Sequence, residues 1–475
     1  MTNRQFSEDQ ILNRIRFENP WWDSKSIDQY YSDMPRRAYF DLFKNLVNEK
    51  NVRRAVVLMG PKRVGKTVLI YHTIQSLIDS GINPKKICYL SIDTPIYTNI
   101  ALERLLHLAN QAVGNNDLNG LYIFFDEIQY LRDWEIHLKS LVDSYLNVKF
   151  IVSGSAAAAL KLKSIESGAG RFTEFILPPL TFYEFLKLSG NADVYDESRV
   201  VEGDYFPHDQ AEANRNFINY INYGGYPEAI VSKEIRLNPE RYIRNDIIDK
   251  VLLRDLPSLY GIQDIQELNA LFTTIAYNTG NEVSLEELSK NSGVAKNTIR
   301  KYLTYLEAAF LIKIIKRIDL AGRRFQRENF FKIYLTNSSI RSALFSPINS
   351  ENPFFGNLVE TAIFAQWQHS EYNEKKYYTR WKGGEVDLIS LKENKPNWVV
   401  EIKWSNRFHK HPNELKSLLT FCKRNSLGRA NVTTIDIDDF KKIDNVGIKF
   451  VPASNYCYSV GKNIIQGRLG QPLER

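Results

Sequence analysis

A glycine-bearing loop between an apolar segment and a helical segment most constrains this chain. The loop runs Gly60-Pro-Lys-Arg-Val-Gly-Lys-Thr67, after Ala55-Val-Val-Leu-Met59 and before a segment with helical periodicity, 68–78. A strand, a glycine loop and a helix in this order predict a phosphate cradle, because backbone N–H groups and the helix N-terminus face one anion. We expect Lys66 to reach the β- and γ-phosphates and the Thr67 hydroxyl to ligate Mg²⁺. The predicted nucleotide-binding residues are Gly60, Pro61, Lys62, Arg63, Val64, Gly65, Lys66 and Thr67.

Two carboxylates end a second apolar segment. Leu121-Tyr-Ile-Phe-Phe125 is followed directly by Asp126 and Glu127, which predicts a parallel strand with acids at its carboxyl end, where open α/β sheets bind ligands. We expect Asp126 to hold Mg²⁺ through water and Glu127 to polarise the water that attacks the γ-phosphate. The alternative is a pair of surface acids that start a helix. The preceding phosphate loop favours the metal, and predicts ATP and Mg²⁺ as cofactors.

Other polar residues of this region allow two interpretations each. Ser153 and Ser155 end the strand-like segment 148–155, where either could sense the γ-phosphate, and Ser155 could equally cap a following helix. Arg36 and Arg37 could lie near the nucleotide base, although the sequence favours a solvated surface pair. These alternatives stay open at the level of sequence.

Length and composition limit the remaining choices. A chain of 475 residues is too long for one hydrophobic core, so we expect about three domains. The net charge of +7 permits contact with nucleic acid without requiring it. Cys88, Cys422 and Cys457 lack metal-ligand spacing and indicate reduced thiols. With no apolar signal segment at the N-terminus and no uncharged stretch of membrane-spanning length, we expect a cytoplasmic protein that has no membrane partner.

The middle of the chain has the pattern of a winged helix-turn-helix. A capping box at 284–287 starts one short helix, Gly293 ends it, and a second helix begins at Lys296. The second helix would bury the apolar positions Ile299, Tyr302, Leu303, Leu306 and Phe310. It would expose Lys296, Asn297, Arg300, Lys301 and Thr304.

A basic stretch follows this helix pair and strengthens the expectation of DNA binding. Between 316 and 332 the chain has only two acids, Asp319 and Glu328. The basic residues of this stretch are Lys316, Arg317, Arg323, Arg324, Arg327 and Lys332. A basic recognition helix and a basic wing suit duplex phosphates. The alternative is a domain that contacts protein and carries ordinary solvated charges.

The last third of the chain contains acids at spacings that suit a metal site. Glu360 lies in a segment with the pattern of an amphipathic helix, and Asp387 follows a Gly-Gly turn. Glu401 and Lys403 flank one apolar residue in a predicted strand, so both side chains point to the same face. We expect Glu360, Asp387 and Glu401 to bind Mg²⁺ or Mn²⁺, because clustered carboxylates suit these ions. Lys403 would position the water that the metal activates.

The motifs together resemble a known family. Five motifs occur in fixed order: Met-Gly-Pro-Lys-Arg-Val-Gly-Lys-Thr, Phe-Phe-Asp-Glu-Ile-Gln, Val-Ser-Gly-Ser, Gly-Arg171 followed by Leu-Pro-Pro-Leu-Thr-Phe-Tyr-Glu-Phe, and Gly224-Gly-Tyr-Pro-Glu228. The chain resembles the prokaryotic ATPases of the AAA superfamily that carry a C-terminal nuclease-like domain, the archaeal-type ATPase or DUF4143-like family. The resemblance covers nearly the whole chain.

This resemblance implies roles for three further residues. Arg171 would be an arginine finger that acts within a subunit or between the subunits of a homo-oligomer, and a structural ion pair is the alternative. Gly225 and Pro227 lie in a motif that closes a helical lid over the adenine in related ATPases. A simple turn is the alternative for them.

The C-terminal segment in turn resembles the PD-(D/E)XK nuclease fold, with Asp387 and Glu401-Ile-Lys403 matching its motif. This implies nuclease catalysis by Asp387, Glu401 and Lys403, although the same fold also serves in binding modules. Related chains often have an aspartate in the strand that ends Lys332-Ile-Tyr-Leu, whereas this chain has Thr336-Asn337.

The sequence therefore predicts an α/β protein with four parts. These are an AAA-type P-loop ATPase core at 1–180, a helical lid at 181–262, a winged helix-turn-helix at 263–335 and a restriction-endonuclease-like α/β domain at 336–475. The expected function is an ATPase that engages DNA and carries a Mg²⁺-dependent nuclease-like site. The alternative is a nucleotide-dependent switch or protein-binding ATPase whose C-terminal domain binds without cleaving.

Overall fold

The chain divides into two compact units, Met1–Pro178 and Pro179–Arg475. The structure, a computed structural model, describes residues 6–49, 52–155, 170–325, 329–370 and 375–468. Arg327 and Glu328 of the basic stretch, and the helix that Ser155 was expected to cap, lie outside the described residues. None of the helices in the described ranges is long and apolar enough to cross a membrane.

The described part of the first unit contains a parallel sheet in the order β2-β3-β4-β1-β5. The strands are β1 Ala55–Met59, β2 Ile87–Ser91, β3 Tyr122–Asp126, β4 Lys149–Gly154 and β5 Phe172–Ile176. Strand β1 is buried along its whole length and pairs with β4 and β5 on its two sides. Near-continuous apolar runs suit a parallel sheet that is covered on both faces. The loop that follows β1 therefore starts from an inner strand at the sheet's carboxyl edge.

Helices surround this sheet, and the N-terminal ones close its β2 edge. The side-chain amide of Asn19 donates to the carbonyl oxygen of Tyr89 (2.8 Å) and accepts from its N–H (2.6 Å), as a neighbouring strand would. Trp21 and Trp22 both donate to the carbonyl oxygen of Ile87. The N-terminal segment thus satisfies edge-strand groups that would otherwise be open to pairing. The helices and helical turns are Glu8–Glu18, Trp21–Ser24, Gln29–Ser32, Phe40–Asn48, Lys66–Asp79, Pro84–Lys86, Pro95–Tyr97, Leu102–Val113, Ile128–Tyr130 and Trp134–Ser144.

The second unit contains a mixed sheet whose described strands follow the order β15-β16-β14-β13-β12-β11-β9-β10-β8. Its strands are β8 Glu282–Ser284, β9 Ile312–Ile318, β10 Phe330–Leu335, β11 Lys376–Trp381, β12 Gly384–Lys392, β13 Lys395–Glu401, β14 Arg429–Thr434, β15 Asp439–Ile443 and β16 Val446–Pro452, and a separate hairpin is formed by β6 Tyr195–Val201 and β7 Asp204–Pro207. Parallel pairing of β9 with β11 joins the strands predicted for the winged helix to those predicted for the nuclease-like segment. The boundary predicted after residue 335 therefore falls within one sheet.

The two helices predicted in the middle of the chain are confirmed. The first is capped by Ser284, whose hydroxyl accepts from the N–H of Glu287 (3.1 Å), and Gly293 ends it at φ 76°. The second helix buries the predicted apolar positions except Phe310, which is half-buried. The helices and helical turns of this unit are Phe182–Leu188, Ala192–Val194, Gln210–Tyr223, Pro227–Val231, Lys233–Arg236, Pro239–Tyr242, Ile243–Asp249, Val251–Asp255, Leu256–Tyr260, Ile265–Tyr277, Leu285–Ser292, Lys296–Ala308, Ser339–Phe345, Phe355–Trp367, Arg407–Lys410, Pro412–Glu414, Lys416–Arg424 and Ala453–Arg468.

The helix that carries Glu360 differs from the prediction. Phe355–Trp367 was expected to be amphipathic, yet most of its residues are buried. It packs against the helix Ala453–Arg468, and Phe364 stacks on Tyr334 of β10 with ring centroids 4.0 Å apart. A helix that is apolar around most of its circumference is buried on several sides. Glu360 therefore lies in the interior of the unit, where its charge needs a partner.

Candidate functional site

The loop after β1 has the shape that a phosphate cradle requires. A Cβ atom on Gly60 would lie 2.3 Å from the carbonyl oxygen of Leu177, so only glycine fits there. Gly65 has φ 94°, a backbone conformation that strongly favours glycine, and helix Lys66–Asp79 begins directly after it. The predicted order of strand, loop and helix is confirmed. The N-terminus of the helix and the loop backbone thus lie at the carboxyl edge of the sheet.

Lys66 is buried inside this loop. Its ammonium group donates to the carbonyl oxygens of Gly60 (3.1 Å) and Pro61 (2.9 Å). These bonds fix the two carbonyl groups and hold a positive charge at the loop. The predicted contact of Lys66 with the β- and γ-phosphates requires a positive charge at this loop.

Arg37 holds a third carbonyl group of the loop. Its guanidinium group donates to the carbonyl oxygens of Val64 (2.6 Å) and Pro178 (3.0 Å), and the residue is only 6% exposed. The expectation of a solvated surface pair is therefore wrong for Arg37. Arg36 is exposed and lies over the ring of Phe40 at 4.4 Å. The sequence shows two adjacent arginines, and only the fold distinguishes them.

Asp126 and Thr67 meet at the carboxyl edge of the sheet. The Thr67 hydroxyl donates to Asp126 Oδ2 at 2.8 Å, and Tyr89 OH donates to the same oxygen at 2.8 Å. Ser153 donates to the other oxygen, Oδ1. Asp126 is thus fixed beside the hydroxyl that was predicted to share Mg²⁺ with it. Tyr89 was not anticipated, since its place depends on β2 lying next to β3.

Glu127 is held in an unusual backbone conformation next to Asp126. Its φ is 55°, and its N–H donates to Asp126 Oδ1 (3.1 Å) and Ser153 Oγ (3.3 Å). The Gln129 side chain donates to the Glu127 carboxylate and accepts from the N–H of Ser155 (3.0 Å). Burial raises the pKa of Glu127, with Lys66 opposing this shift and Asp126 adding to it. A carboxylate with a raised pKa is a better proton acceptor for general-base catalysis.

Arg171 lies away from the loop. It pairs with Asp143 at 3.0 Å, and both side chains are nearly half exposed. Arg171 directly precedes Phe172, the partner of Ala55 at the amino end of β1, whereas the loop follows the carboxyl end. In this structure Arg171 forms the surface ion pair that was one of its two predicted roles. A finger role between subunits stays a prediction.

Gly225 and Pro227 belong to the second unit. The carbonyl oxygen of Gly225 accepts from the N–H of Leu180 (3.0 Å), and Pro227 is the first residue of helix Pro227–Val231. A Cβ atom on Gly225 would lie 2.6 Å from the side chain of the buried Asn337. The part of Gly225 and Pro227 in nucleotide binding stays a prediction.

The predicted C-terminal acids also converge. The Lys403 ammonium group lies 3.0 Å from Asp387 Oδ2 and 2.8 Å from Glu401 Oε1. The N–H of Ile402 donates to Asp387 Oδ2 (2.9 Å). Hairpin β12–β13 brings these residues together, with Glu393 and Asn394 turning the chain at positive φ. The predicted common face of Glu401 and Lys403 is confirmed.

A second lysine, Lys332, completes this group. Its ammonium group lies 2.8 Å from Glu360 Oε1, 2.7 Å from Glu385 Oε1 and 3.9 Å from Asp387 Oδ1. Lys332 is 3% exposed, so its assignment to an exposed basic wing is wrong. We call Lys332, Glu360, Glu385, Asp387, Glu401 and Lys403 the carboxylate–lysine cluster.

The two acids of the nuclease-like motif have opposite electrostatic environments. Burial, together with Asp387, raises the pKa of Glu401 to about 8, although Lys403 opposes the shift. One Glu401 oxygen, Oε2, is buried and has no hydrogen-bond partner among the described residues. Burial alone would raise the pKa of Asp387 too, but Lys403, Lys332 and the N–H of Ile402 together lower it.

The cluster does not have the arrangement of a metal site. Within the described ranges, no group of three or more His, Cys, Asp and Glu side chains could hold a metal ion. Glu360 and Asp387, predicted as metal ligands, instead face the Lys332 ammonium group. Glu401, the third predicted ligand, contacts Lys403. The donor set as folded therefore does not fit a divalent metal.

Three family models match successive parts of the chain. Residues 52–186 match an AAA domain, residues 214–351 a domain of unknown function (DUF8612) and residues 355–456 a domain of unknown function (DUF4143). The chain thus carries an AAA-superfamily ATPase domain, which contains the phosphate loop. The DUF4143 segment, expected from the resemblance, is also present.

Individual relatives extend over most of the chain. An uncharacterised protein of Methanocaldococcus jannaschii is 25% identical over 442 residues, which are 91% of this chain and 92% of that protein. One of Haemophilus influenzae is 24% identical over 361 residues, 75% of this chain and 84% of that protein.

Two solved structures show a distant likeness. Aeropyrum pernix Orc1 in complex with DNA has a TM-score of 0.31 and 13% identity, covering 71% of this chain and 97% of that one. AMPPCP-bound DnaA from Aquifex aeolicus has a TM-score of 0.28 and 14% identity, covering 58% and 90%. Scores this low support no conclusion about the function of this chain.

Replacing Arg37 should weaken nucleotide binding. Arg37→Ala removes two charge-assisted hydrogen bonds, each worth about 1.5–3 kcal/mol, of which one holds the loop carbonyl of Val64. We expect the Kd for ATP to rise by about tenfold or more, with KM affected more than kcat. Arg37→Lys should restore part of the affinity, and the exposed neighbour Arg36→Ala is the matched control. An unchanged Kd with a lower melting temperature would show that Arg37 only stabilises the fold.

Glu401 should make stability depend on pH. The pKa of Glu401 in the folded protein, about 8, lies above its ordinary value of 4.5. The folded state therefore keeps a proton that the unfolded chain releases, and stability falls as pH rises through this window. Glu401→Gln cannot ionise, so its melting temperature relative to wild type should rise between pH 5 and pH 9, by about 2 °C or more. Glu393→Gln, in the exposed turn of the same hairpin, should show no such trend. Equal pH profiles for Glu401→Gln and wild type would contradict this assignment.

Proposed function

We propose that this protein binds ATP with Mg²⁺ at the loop Gly60–Thr67 and hydrolyses it. The contact that carries this proposal is the 2.8 Å hydrogen bond from the Thr67 hydroxyl to Asp126. This bond supports the proposal because it brings together, from two distant parts of the sequence, a hydroxyl and a carboxylate of the kinds that bind Mg²⁺ beside a phosphate loop.

The residues present fit both ligands. A glycine-only approach at Gly60 and the left-handed Gly65 shape the cradle, and Lys66 supplies positive charge beside it. Thr67 would bind Mg²⁺ directly and Asp126 through water. When bound, Mg²⁺ neutralises charge on the β- and γ-phosphates.

Glu127 has the features of the general base. Its backbone N–H donates to Asp126 Oδ1 and Ser153 Oγ, and the Gln129 side chain donates to its carboxylate. A buried carboxylate with a raised pKa accepts a proton from water more readily than a solvated one. Glu127 would therefore orient the attacking water and take its proton, while Gln129 keeps the carboxylate in place.

Arg171 would act on a neighbouring copy, as an arginine finger between subunits. Its place at the amino edge of the sheet, in an exposed pair with Asp143, leaves it available for another chain. Such a role needs a homo-oligomer. Gly225 and Pro227 would form part of a lid for the nucleotide, as the resemblance implies.

The second unit would engage DNA through helix Lys296–Ala308. The helix buries its apolar face and leaves Asn297, Arg300 and Lys301 exposed. Lys296 is exposed as well and pairs with Glu286. Two short helices around a glycine turn, followed by antiparallel strands β9 and β10, suit a winged helix. A basic exposed face suits contact with phosphates.

Of the two roles considered for the nuclease-like segment, the geometry favours binding without cleavage. Lys332, which lies outside the motif, contacts Glu360 and Asp387, two of the carboxylates that a catalytic metal would need. This segment resembles PD-(D/E)XK nucleases in its motif. The ionic arrangement of the segment supports a structural role within the unit that would bind DNA.

The ATPase proposal predicts separate effects on binding and turnover. Lys66→Ala removes the charge at the loop and should weaken ATP binding about tenfold or more. Glu127→Gln keeps the shape of the side chain but cannot take a proton, so kcat should fall about 10²–10⁴-fold while the Kd for ATP changes little. Equilibrium nucleotide titration and phosphate release measure the two quantities.

The matched control for this pair is Glu174→Gln, an exposed acid on β5 of the same unit. Normal turnover in Glu127→Gln would remove this residue from the proposed mechanism. Unchanged ATP affinity in Lys66→Ala would show that the loop Gly60–Thr67 is not the ATP-binding site.

The DNA proposal predicts a salt-dependent effect. Replacing Arg300 and Lys301 by alanine should weaken duplex binding and lower the slope of log K against log salt by about 0.9 for each lost phosphate contact. Lys423→Ala, an exposed lysine on another helix of the unit, is the control. Identical salt slopes in mutant and wild type would contradict the assignment.

The proposal of binding without cleavage predicts that DNA stays intact after incubation with the protein and Mg²⁺ or Mn²⁺. Cleavage by wild type that Glu401→Ala abolishes would instead establish a nuclease.

A further inference from the structure

Lys332 is the most deeply buried charge of the carboxylate–lysine cluster. It is 3% exposed, lies on β10 and extends over the ring of Tyr378 at 5.4 Å. Its three carboxylate neighbours come from two elements, Glu360 from helix Phe355–Trp367 and both Glu385 and Asp387 from β12. One ammonium group thus joins a helix to a strand that is not adjacent to its own in the sheet.

The position of Lys332 is that of a bridging cation. A divalent metal at the nuclease-like motif would need oxygens of Glu360 and Asp387, and the Lys332 ammonium group already faces one oxygen of each. The Tyr334 hydroxyl also donates to the Glu360 oxygen that Lys332 contacts. A buried charge without partners is strongly unfavourable, and these carboxylates supply the partners that the ammonium group needs.

The second lysine of the cluster differs from Lys332. Lys403 is 29% exposed at its side chain and contacts Asp387 Oδ2 and Glu401 Oε1. Its ammonium group can turn toward solvent, and lysine at this position belongs to the nuclease-like motif. Only Lys332 contacts both Glu360 and Asp387 among the described ion pairs.

We propose that Lys332 is the resident cation of the carboxylate–lysine cluster, and that it excludes divalent metal ions from the position between Glu360 and Asp387. A metal ion there would lie next to a fixed positive charge in a poorly solvated interior, where repulsion is strong. Replacing the ammonium group by an uncharged side chain of similar length leaves the carboxylates with excess negative charge. Such a site attracts hard cations. This inference rests on the proposed role of the second unit as a domain that binds without cleaving.

The test is a titration of the full-length chain with Mn²⁺ in the absence of nucleotide. The electron paramagnetic resonance signal of free Mn²⁺ measures how much of the ion is bound. Wild type should bind no Mn²⁺ that depends on the cluster. Lys332→Met should bind one Mn²⁺ per chain, at least about tenfold tighter than wild type, because the repulsion is removed. Lys403→Met is the matched control, since it makes the same chemical change and leaves Lys332 in place; it should remain like wild type.

Two outcomes would overturn the proposal. One is stoichiometric Mn²⁺ binding by wild type that Asp387→Asn or Glu360→Gln abolishes. The other is a folded Lys332→Met variant, checked by circular dichroism, that binds no more Mn²⁺ than wild type. Should Lys332→Met fail to fold, the wild-type titration alone decides. If wild type does not bind duplex DNA, the proposed DNA function is wrong, but the Mn²⁺ titration still tests the role of Lys332. Failure of the DNA proposal and failure of the Lys332 proposal can therefore be distinguished.

Discussion

A buried ammonium group must be matched by oxygen atoms, and this constraint shapes both units in different ways. In the first unit, the carbonyl oxygens of Gly60 and Pro61 accept hydrogen bonds from Lys66, whose charge also opposes the rise in the pKa of Glu127. A charge held in this way can still attract an anion, which suits a phosphate site. In the second unit, the ionised or ionisable carboxylates of Glu360, Glu385 and Asp387 surround Lys332. There the charge is compensated inside the protein. The same type of side chain therefore lies in a predicted phosphate-binding loop in one unit and among carboxylates in the other.

The sequence predicted those parts of the ATPase site that depend on local order along the chain. The loop Gly60–Thr67 and the acids after β3 carry their own signals, because glycine, lysine and terminal carboxylates have characteristic positions around a parallel strand. Arg37, Tyr89 and Gln129 could not be predicted. The role of Tyr89 follows from β2 lying beside β3, and that of Arg37 follows from a contact between two segments that are distant in sequence. A motif thus identifies the groups that face the ligand, while the groups that hold them in place depend on tertiary structure.

The positions of Lys332 and Arg171 in the fold could not be predicted from their positions along the sequence. Counting charges between 316 and 332 placed Lys332 on an exposed wing, but β10 lies between β9 and β8, and its last four residues, Lys332 included, are buried. Its apolar neighbours, Phe-Phe before it and Ile-Tyr-Leu after it, were the available signal. For Arg171, the family resemblance implied an arginine finger, with a structural ion pair as the alternative, and the register of β5 with β1 places it at the amino edge of the sheet. Linear distance carries little information about such positions.

The motif in the second unit also shows why residue identity does not determine chemistry. Asp387 and Glu401 are neighbours, share Lys403 and come from one hairpin, yet the pKa of one is lowered while that of the other is raised to about 8. The difference arises from what each acid contacts besides Lys403. Asp387 has a backbone N–H and faces Lys332, whereas Glu401 Oε2 is buried without a partner in the described part of the chain. A nuclease needs these acids to act together on one metal. Among the described ion pairs, Lys332, which lies outside the motif, contacts Asp387 and not Glu401, so a residue outside a motif helps to set the charge state of the acids within it.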